Sequence, residues 1–135
     1  MNDKEELRDH IYNLLNNRGL TNPKQSFGRI PKFKGELKAA KLLKNTPEWE
    51  NSQIVFSSPD STQKKVREYA LRDGKDLIMA SPKLKNGYLY INSEDASGRE
   101  SRAATIKGAF EIAQRVENFP TVDLVVEGSV AVDLT

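Results

Sequence analysis

Leu7, Ile11, Leu14 and Leu15 recur at i, i+4, i+7 and i+8 near the start of the chain, a spacing that gathers them on one helical face. Asp3 is a good N-cap for that helix, Glu5 and Glu6 suit its first turn, and Gly19 is a stop signal. Residues 20–35 carry Pro23, Gly28, Pro31 and Gly35 with few periodic apolar positions, which reads as a loop. A second helix follows, with Leu37, Ala40 and Leu43 at three-residue steps and Lys38 and Lys41 facing away. Thr46-Pro47-Glu48 has the form of an N-cap with proline at the first helical position, opening one or two more turns.

The period then changes. Ile54-Val55-Phe56 is a short apolar run ended by Ser57-Ser58-Pro59, and Gln63 to Arg72 is helical with Val66, Ala70 and Leu71 inward. Asp73-Gly74 closes that helix, and Leu77-Ile78-Met79-Ala80 is a second apolar run ended near Pro82. Strand, loop, helix, glycine turn and strand make a βαβ unit. Continuous apolar runs predict strands covered on both faces, hence a largely parallel sheet. Tyr88 to Ile91 fits an edge strand, Ser93 to Ser101 a loop, and Thr105 to Glu117 a helix with Ile106, Ala109, Phe110, Ala113 and Val116 on one stripe. Val122 to Val126 is the most apolar run and the most buried-looking strand, continued by Ser129 to Val132 after Gly128. The right-handed crossover rule turns this order into a single α/β domain over residues 1–135, a three-layer α/β/α sandwich. Ligands of such sheets bind beyond the carboxyl ends of the strands, which here means Ser57–Gln63, Ser81–Lys85 and the region from Gly128 onward. The chain ends at Thr135, straight after its last strand, so the sequence predicts that the final elements of the domain lie outside it, whether through a truncated gene product, a cut made in defining the chain, or a lost C-terminal segment.

Composition narrows the picture little. Apolar residues make up 37% and charged residues 30% of the 135 positions, a soluble globular balance. The chain has no cysteine, which excludes disulfides and thiolate metal sites and fits a reducing, cytoplasmic setting. No apolar stretch is long enough to span a membrane, and the charged start Asp3-Lys4-Glu5-Glu6 is not a secretory signal. The net charge is only +2, yet seven bases stand against one acid, Glu36, between Lys24 and Lys44. That local excess keeps an RNA partner open as a second reading, beside the plainer one of a solvated helix face with Phe33 packed on Leu37. The single His10 reads as a surface or packing residue, and Trp49 as a core or interface anchor. A lone histidine leaves no Ser-His-Asp order or histidine metal spacing that could be trusted.

Several stretches together resemble one family. They are Arg29-Ile30-Pro31-Lys32-Phe33-Lys34-Gly35 with Ala39-Ala40; Val66-Arg67-Glu68-Tyr69-Ala70-Leu71 with Asp73-Gly74-Lys75, Ser81-Pro82-Lys83-Leu84 and Gly87; and Val122-Asp123-Leu124-Val125-Val126 with Gly128-Ser129-Val130-Ala131-Val132. In this order they are similar to the 5-formyltetrahydrofolate cyclo-ligase (methenyltetrahydrofolate synthetase) family, in its divergent branch of archaeal and synthetase-domain-containing proteins. The resemblance implies a CoA-transferase-like α/β/α fold. It also implies an ATP- and magnesium-dependent closure of 5-formyltetrahydrofolate to 5,10-methenyltetrahydrofolate, in which ATP phosphorylates the formyl oxygen and phosphate then leaves.

Residue by residue, Lys4-Glu5-Glu6-Leu7-Arg8 matches the family's Lys-x-x-Leu-Arg pattern, which grips nucleotide phosphates. Lys4 and Arg8 would then be phosphate contacts; without the resemblance they read as solvated charges beside Glu5, Glu6 and Asp9. The family's folate-contacting glutamate falls on Asp60, one methylene shorter, and its Asp-Thr pair on Thr62-Gln63. Asp60 also stands beside Pro59, where aspartate favours a turn for backbone reasons alone. The glycine-rich stretch that holds ATP and metal in the family would begin beyond Thr135, and no metal-holding residue is assigned here. The expectation is therefore a nucleotide- and folate-handling domain, an incomplete catalyst that binds ATP weakly. The alternative is a non-catalytic family member that binds nucleotide, RNA or protein.

Overall fold

The computed structural model of the chain describes residues 3–21, 30, 32–85, 87–115, 118 and 120–132. Helix α1 (Asp3–Asn17) is followed by α2 (Glu36–Lys44) and the single turn α3 (Pro47–Glu50). Strand β1 (Ile54–Ser57) leads through a 3₁₀ turn (Ser61–Gln63) into α4 (Lys64–Arg72), and β2 (Asp76–Ala80) returns beside β1. A second 3₁₀ turn (Pro82–Leu84), β3 (Tyr88–Ile91), α5 (Glu100–Ala103), α6 (Ile106–Ile112), β4 (Gln114–Arg115) and β5 (Leu124–Val126) complete the order.

The βαβ unit is present as the sequence predicts. β1 and β2 are parallel neighbours, with Val55 opposite Leu77 and Phe56 opposite Ile78. The strand order is β4-β3-β2-β1-β5, with β5 parallel to β1 and both β3 and β4 antiparallel to their neighbours. A parallel centre of three strands thus carries an antiparallel extension. The architecture is α/β, a sheet flanked by helices, consistent with a three-layer sandwich. β3 is not the edge, because the two residues of β4 pair beyond it.

Register explains the core. Val55, Leu77, Ile91 and Leu124 stand in one row, and Ser57, Met79, Leu89 and Val126 in the next, so all eight share a face. Against that face α4 sets Val66, Ala70 and Leu71, all buried. Leu71, Leu77, Met79, Leu89 and Ile91 pack with Ala96, Ala103 and Ala109, small side chains that let α5 and α6 approach closely. Val55, Val66 and Ala70 pack with Ala40 and Trp49, and Trp49 is the core anchor its size suggests. The opposite face carries Phe56, Ile78 and Tyr90, with the Phe56 and Tyr88 rings 6.0 Å apart.

Four local readings need correction. Among the described residues β5 is an edge strand with only β1 beside it, and Val125 is 57% exposed; an apolar run does not reveal whether both its flanks are filled. Residues 129–132 form no strand. The helix expected to reach Glu117 ends at Ile112, Ala113 turns extended (ψ 152°), and Gln114–Arg115 pair with β3; Val116 and Glu117 lie outside the described residues. In α1 the buried side chain is Tyr12, while Leu14 is exposed, so the helix seats through its tyrosine more than its leucine stripe.

Polar contacts close the amino end of the parallel strands. Trp49 Nε1 donates to Asp73 Oδ2 at 2.9 Å. The buried Lys75 donates to the Ser52 carbonyl at 2.7 Å and lies over the Trp49 ring. Asp123 Oδ2 accepts from the amides of Gln53 and Ile54, which hold its carboxyl below the usual aspartate range. Asp76 accepts from the Tyr90 hydroxyl and the Ser93 amide. Burial and that carboxylate push the Tyr90 phenol up to about 12.

Candidate functional site

A cleft of about 1280 Å³ opens at the other end of the same strands. The loop after β1 supplies Pro59, Asp60 and Ser61; the loop after β2 supplies Pro82 and Lys83; and the segment after β5 supplies Gly128 to Val132. Helix α1 adds Lys4, Leu7, Arg8 and Tyr12, and Ile30 and Ile106 complete the described lining. All three loops expected from the sheet's topology therefore face one space, as the switch-point rule requires of a parallel sheet. The structure also brings together Lys4, Arg8 and Asp60, drawn from two elements far apart in sequence. His10 is exposed on α1 and does not line the cleft.

The charge of the described lining is one-sided. Lys4, Arg8 and Lys83 stand against the single carboxylate of Asp60. Lys4 and Arg8 are one turn apart on α1 and so project to the same side. Such a lining favours an anionic ligand with one hydrogen-bonding or cationic region.

Arg67 sets the Asp60 loop. It comes from α4 with only 1% of its surface exposed. Its Nη1 donates to the carbonyls of Ser58 and Asp60, both at 2.8 Å, and its Nε donates to the Ala104 carbonyl at 2.9 Å. Burial pulls the guanidinium down to about 10, against the opposing charge of Asp60, so it remains a cation at neutral pH. A buried charge is tolerated only when hydrogen-bonded, and here two of its three partners are carbonyls of the loop that carries Asp60. Sequence reasoning missed Arg67. The signal was available, since Gln63, Arg67 and Leu71 are spaced four apart beside the buried Val66–Ala70 pair. Its neighbour Glu68 is buried too, meeting Lys65 at 3.0 Å and Arg72 at 3.5 Å. Burial alone would raise the Glu68 carboxyl, but hydrogen bonds from Lys65 and Ser101 and the nearby cations hold it below its ordinary value.

Two backbone features mark the cleft. A Cβ at Gly128 would lie 2.6 Å from Gln63 Nε2 and 2.7 Å from Ile30 Cγ2, so any larger residue there would have to displace those two side chains. Lys83 (φ 54°) and Leu84 (φ 55°) are consecutive left-handed L-residues, a conformation costing roughly 1–2 kcal/mol each. Strain of this kind concentrates at functional sites. Among the described residues, Ser58 Oγ and Gln63 Oε1 are buried with no hydrogen-bond partner. Both lie near the end of β1.

The donor set fits nucleotide phosphates better than it fits a free metal ion. Among the described residues no three His, Cys, Asp or Glu side chains gather as a ligand set. Magnesium needs less than that, since it is commonly held by phosphate oxygens with one or two carboxylates, and Asp60 is the carboxylate available in the described lining. Among the described residues, no helix is long and apolar enough to cross a membrane. In the basic stretch, Lys32 pairs with Glu36 at 3.3 Å, and Lys44 pairs with Asp73 at 3.2 Å and lies over the Tyr69 ring. Lys24, Phe27 and Arg29 lie outside the described residues.

Comparison with known proteins agrees with the resemblance. The chain is 29% identical over 135 residues to a methenyltetrahydrofolate synthase domain-containing protein of Bos taurus, covering 96% of this chain and 36% of that one. It is 31% identical over 135 residues to the protein of the same name in Danio rerio, with 96% and 35% covered, and 29% identical to that of Homo sapiens over the same shares. It thus spans about a third of the length of these relatives. No solved structure matches it. Residues 1–135 match the family described as the 5-formyltetrahydrofolate cyclo-ligase family from end to end, and the chain belongs to that family.

Proposed function

We propose that the cleft binds ATP and a formylated reduced folate, and that it serves the ATP-dependent closure of 5-formyltetrahydrofolate to 5,10-methenyltetrahydrofolate. The observation that carries this reading is the meeting of Lys4, Arg8 and Asp60 in one cleft beyond three parallel strands, in a chain of this family. Lys4 and Arg8 would take phosphate oxygens, each charge-assisted contact contributing about 1.5–3 kcal/mol and, at exposed positions, the lower end of that range. Asp60, steadied by Arg67 through its own carbonyl, would accept hydrogen bonds from the folate ring. Magnesium bound to the phosphates would neutralise charge there, with Asp60 as the nearest candidate carboxylate in the described lining.

The reaction asks the protein chiefly for position and charge. The formyl oxygen takes the γ-phosphoryl group as ADP leaves. The neighbouring folate nitrogen then adds to the formyl carbon and gives up its proton, and the C–O bond breaks with loss of phosphate. The cations of α1 would hold the transferred group near the formyl oxygen, and the Asp60 loop would hold the folate against it.

A second reading, a binding module without catalysis, is favoured by one observation: among the described residues the lining offers a single carboxylate, Asp60. RNA binding ranks behind both, because Lys32 and Lys44 of the basic stretch are engaged with Glu36 and Asp73. The test is the absorbance of the methenyl product with purified protein, magnesium and 5-formyltetrahydrofolate, with and without ATP. ATP-dependent product supports the cyclo-ligase reading. Saturable binding of both ligands without product selects the non-catalytic one. Failure to bind either ligand overturns the proposal.

A further inference from the structure

Lys83 lies in the cleft but has no part in the roles given above. Its side chain is exposed, and it makes no ion pair or hydrogen bond among the described residues. The backbone that carries it is nonetheless fastened. Leu84 N donates to the Ser81 carbonyl at 2.8 Å, Lys85 N to Pro82 at 3.2 Å, Gly87 N to Leu84 at 3.1 Å, and Ser81 N to Gly87 at 3.0 Å. The hydroxyl of the buried Ser81 donates to the same Gly87 carbonyl at 2.7 Å. Within this closed turn Lys83 sits at φ 54° and ψ 20°, where glycine would sit without strain. A lysine held at a glycine-like position in the lining of a cleft is a poor choice for stability alone.

Topology says where along the cleft that residue stands. β2 and β5 flank β1 on opposite sides. The loop bearing Lys83 and the Gly128–Val132 segment are therefore at opposite ends, with Asp60 between them. Two strand spacings make that span about 10 Å, so a ligand touching both ends is elongated. From this we infer that Lys83 is a specificity-determining contact for the anionic far end of such a ligand, fixing carboxylate oxygens on the tail of the folate-type substrate while Asp60 faces its ring. The inference rests on the proposed function, in which Lys4 and Arg8 already serve the phosphates. Phosphate oxygens are the other source of the same chemistry, and the experiment separates the two.

Affinities are measured by titration calorimetry for ATP, for 5-formyltetrahydrofolate, and for the corresponding formylated pteroate, which lacks the glutamate carboxylates. Lys83→Gly removes the ammonium and relieves the left-handed residue, so its Tm should hold or rise. Its affinity for the folate should fall about tenfold, with ATP and the pteroate unchanged and with Lys83→Arg restoring most of the loss. An equal loss for the pteroate, or a loss confined to ATP, overturns the assignment. So does wild-type folate affinity in Lys83→Gly. If the wild-type chain itself binds ATP but not the folate, the folate reading of the cleft fails together with it, which is a different result from an inert Lys83 in a folate-binding cleft.

Discussion

The two ends of the parallel strands use the same kinds of side chain for opposite purposes. At the amino end, charged and polar groups are matched: Lys75 with the Ser52 carbonyl and Trp49, Asp73 with Trp49 and Lys44, Asp123 with the Gln53 and Ile54 amides, Asp76 with Tyr90 and Ser93. At the carboxyl end, Arg8 and Lys83 line the cleft without an ion pair among the described residues, two L-residues are left-handed, and the Ser58 hydroxyl is buried without a partner. Matched groups hold strands together, whereas exposed unmatched cations stay available to a ligand and a buried unmatched hydroxyl such as that of Ser58 carries a cost. Arg67 belongs to both categories, since it spends a buried charge on shaping the cleft loop.

The contrast makes stability and binding separable. The largest effect should come from Trp49→Ala, which removes a 2%-exposed ring, its bond to Asp73 and the surface beneath Lys75. A loss of about 3–5 kcal/mol is expected, read as a lowered denaturation midpoint. Any ligand affinity that survives below that midpoint should be little changed. Arg67→Met should cost about 2–3 kcal/mol, because the carbonyls of Ser58, Asp60 and Ala104 lose their donor. It should also weaken folate binding, since the Asp60 loop is released. A variant that loses stability but keeps full folate affinity would show that Arg67 is purely structural.

Acid sensitivity should be the smallest effect, and it should belong to the structural groups. Glu68 and Asp123 have carboxyls held below their ordinary values. A depressed folded-state pKa gives stability that is present above the unfolded value and lost as pH falls through the folded one. Stability should therefore be flat from neutral pH down to about the ordinary carboxylate range near 4 and fall below it. Asp123→Asn, which loses the charge held by the Gln53 and Ile54 amides, should flatten part of that fall. Unchanged acid midpoints in Asp123→Asn would show that the contact contributes little.

Much of this arrangement was legible in the sequence. The βαβ unit announces itself through Pro59, Gly74 and Pro82 flanking apolar runs, and a parallel pair fixes which loops share an end. That is why the loops from Ser57, Ser81 and Gly128 could be expected to meet. What was not legible depends on partners distant in the chain. The break of α6 at Ala113 is decided by pairing with Leu89 and Tyr90, and the exposure of Val125 by what lies beyond β5. The burial of Arg67 depends on carbonyls from two other loops, and the left-handed turn at Lys83 on closure by Ser81 and Gly87. Local periodicity contains none of these.

The central claim is that the carboxyl-end cations serve a nucleotide. Its most direct test is calorimetric titration of ATP with magnesium into the wild-type chain and into Lys4→Ala, Arg8→Ala and the double variant, with the Tm of each recorded. The account predicts saturable binding to the wild type, about a tenfold loss for each single change and a larger loss for the double, with Tm unchanged because neither side chain is part of the core. Equal ATP affinity in the double variant and the wild type, or no binding to the wild type at all, would contradict it.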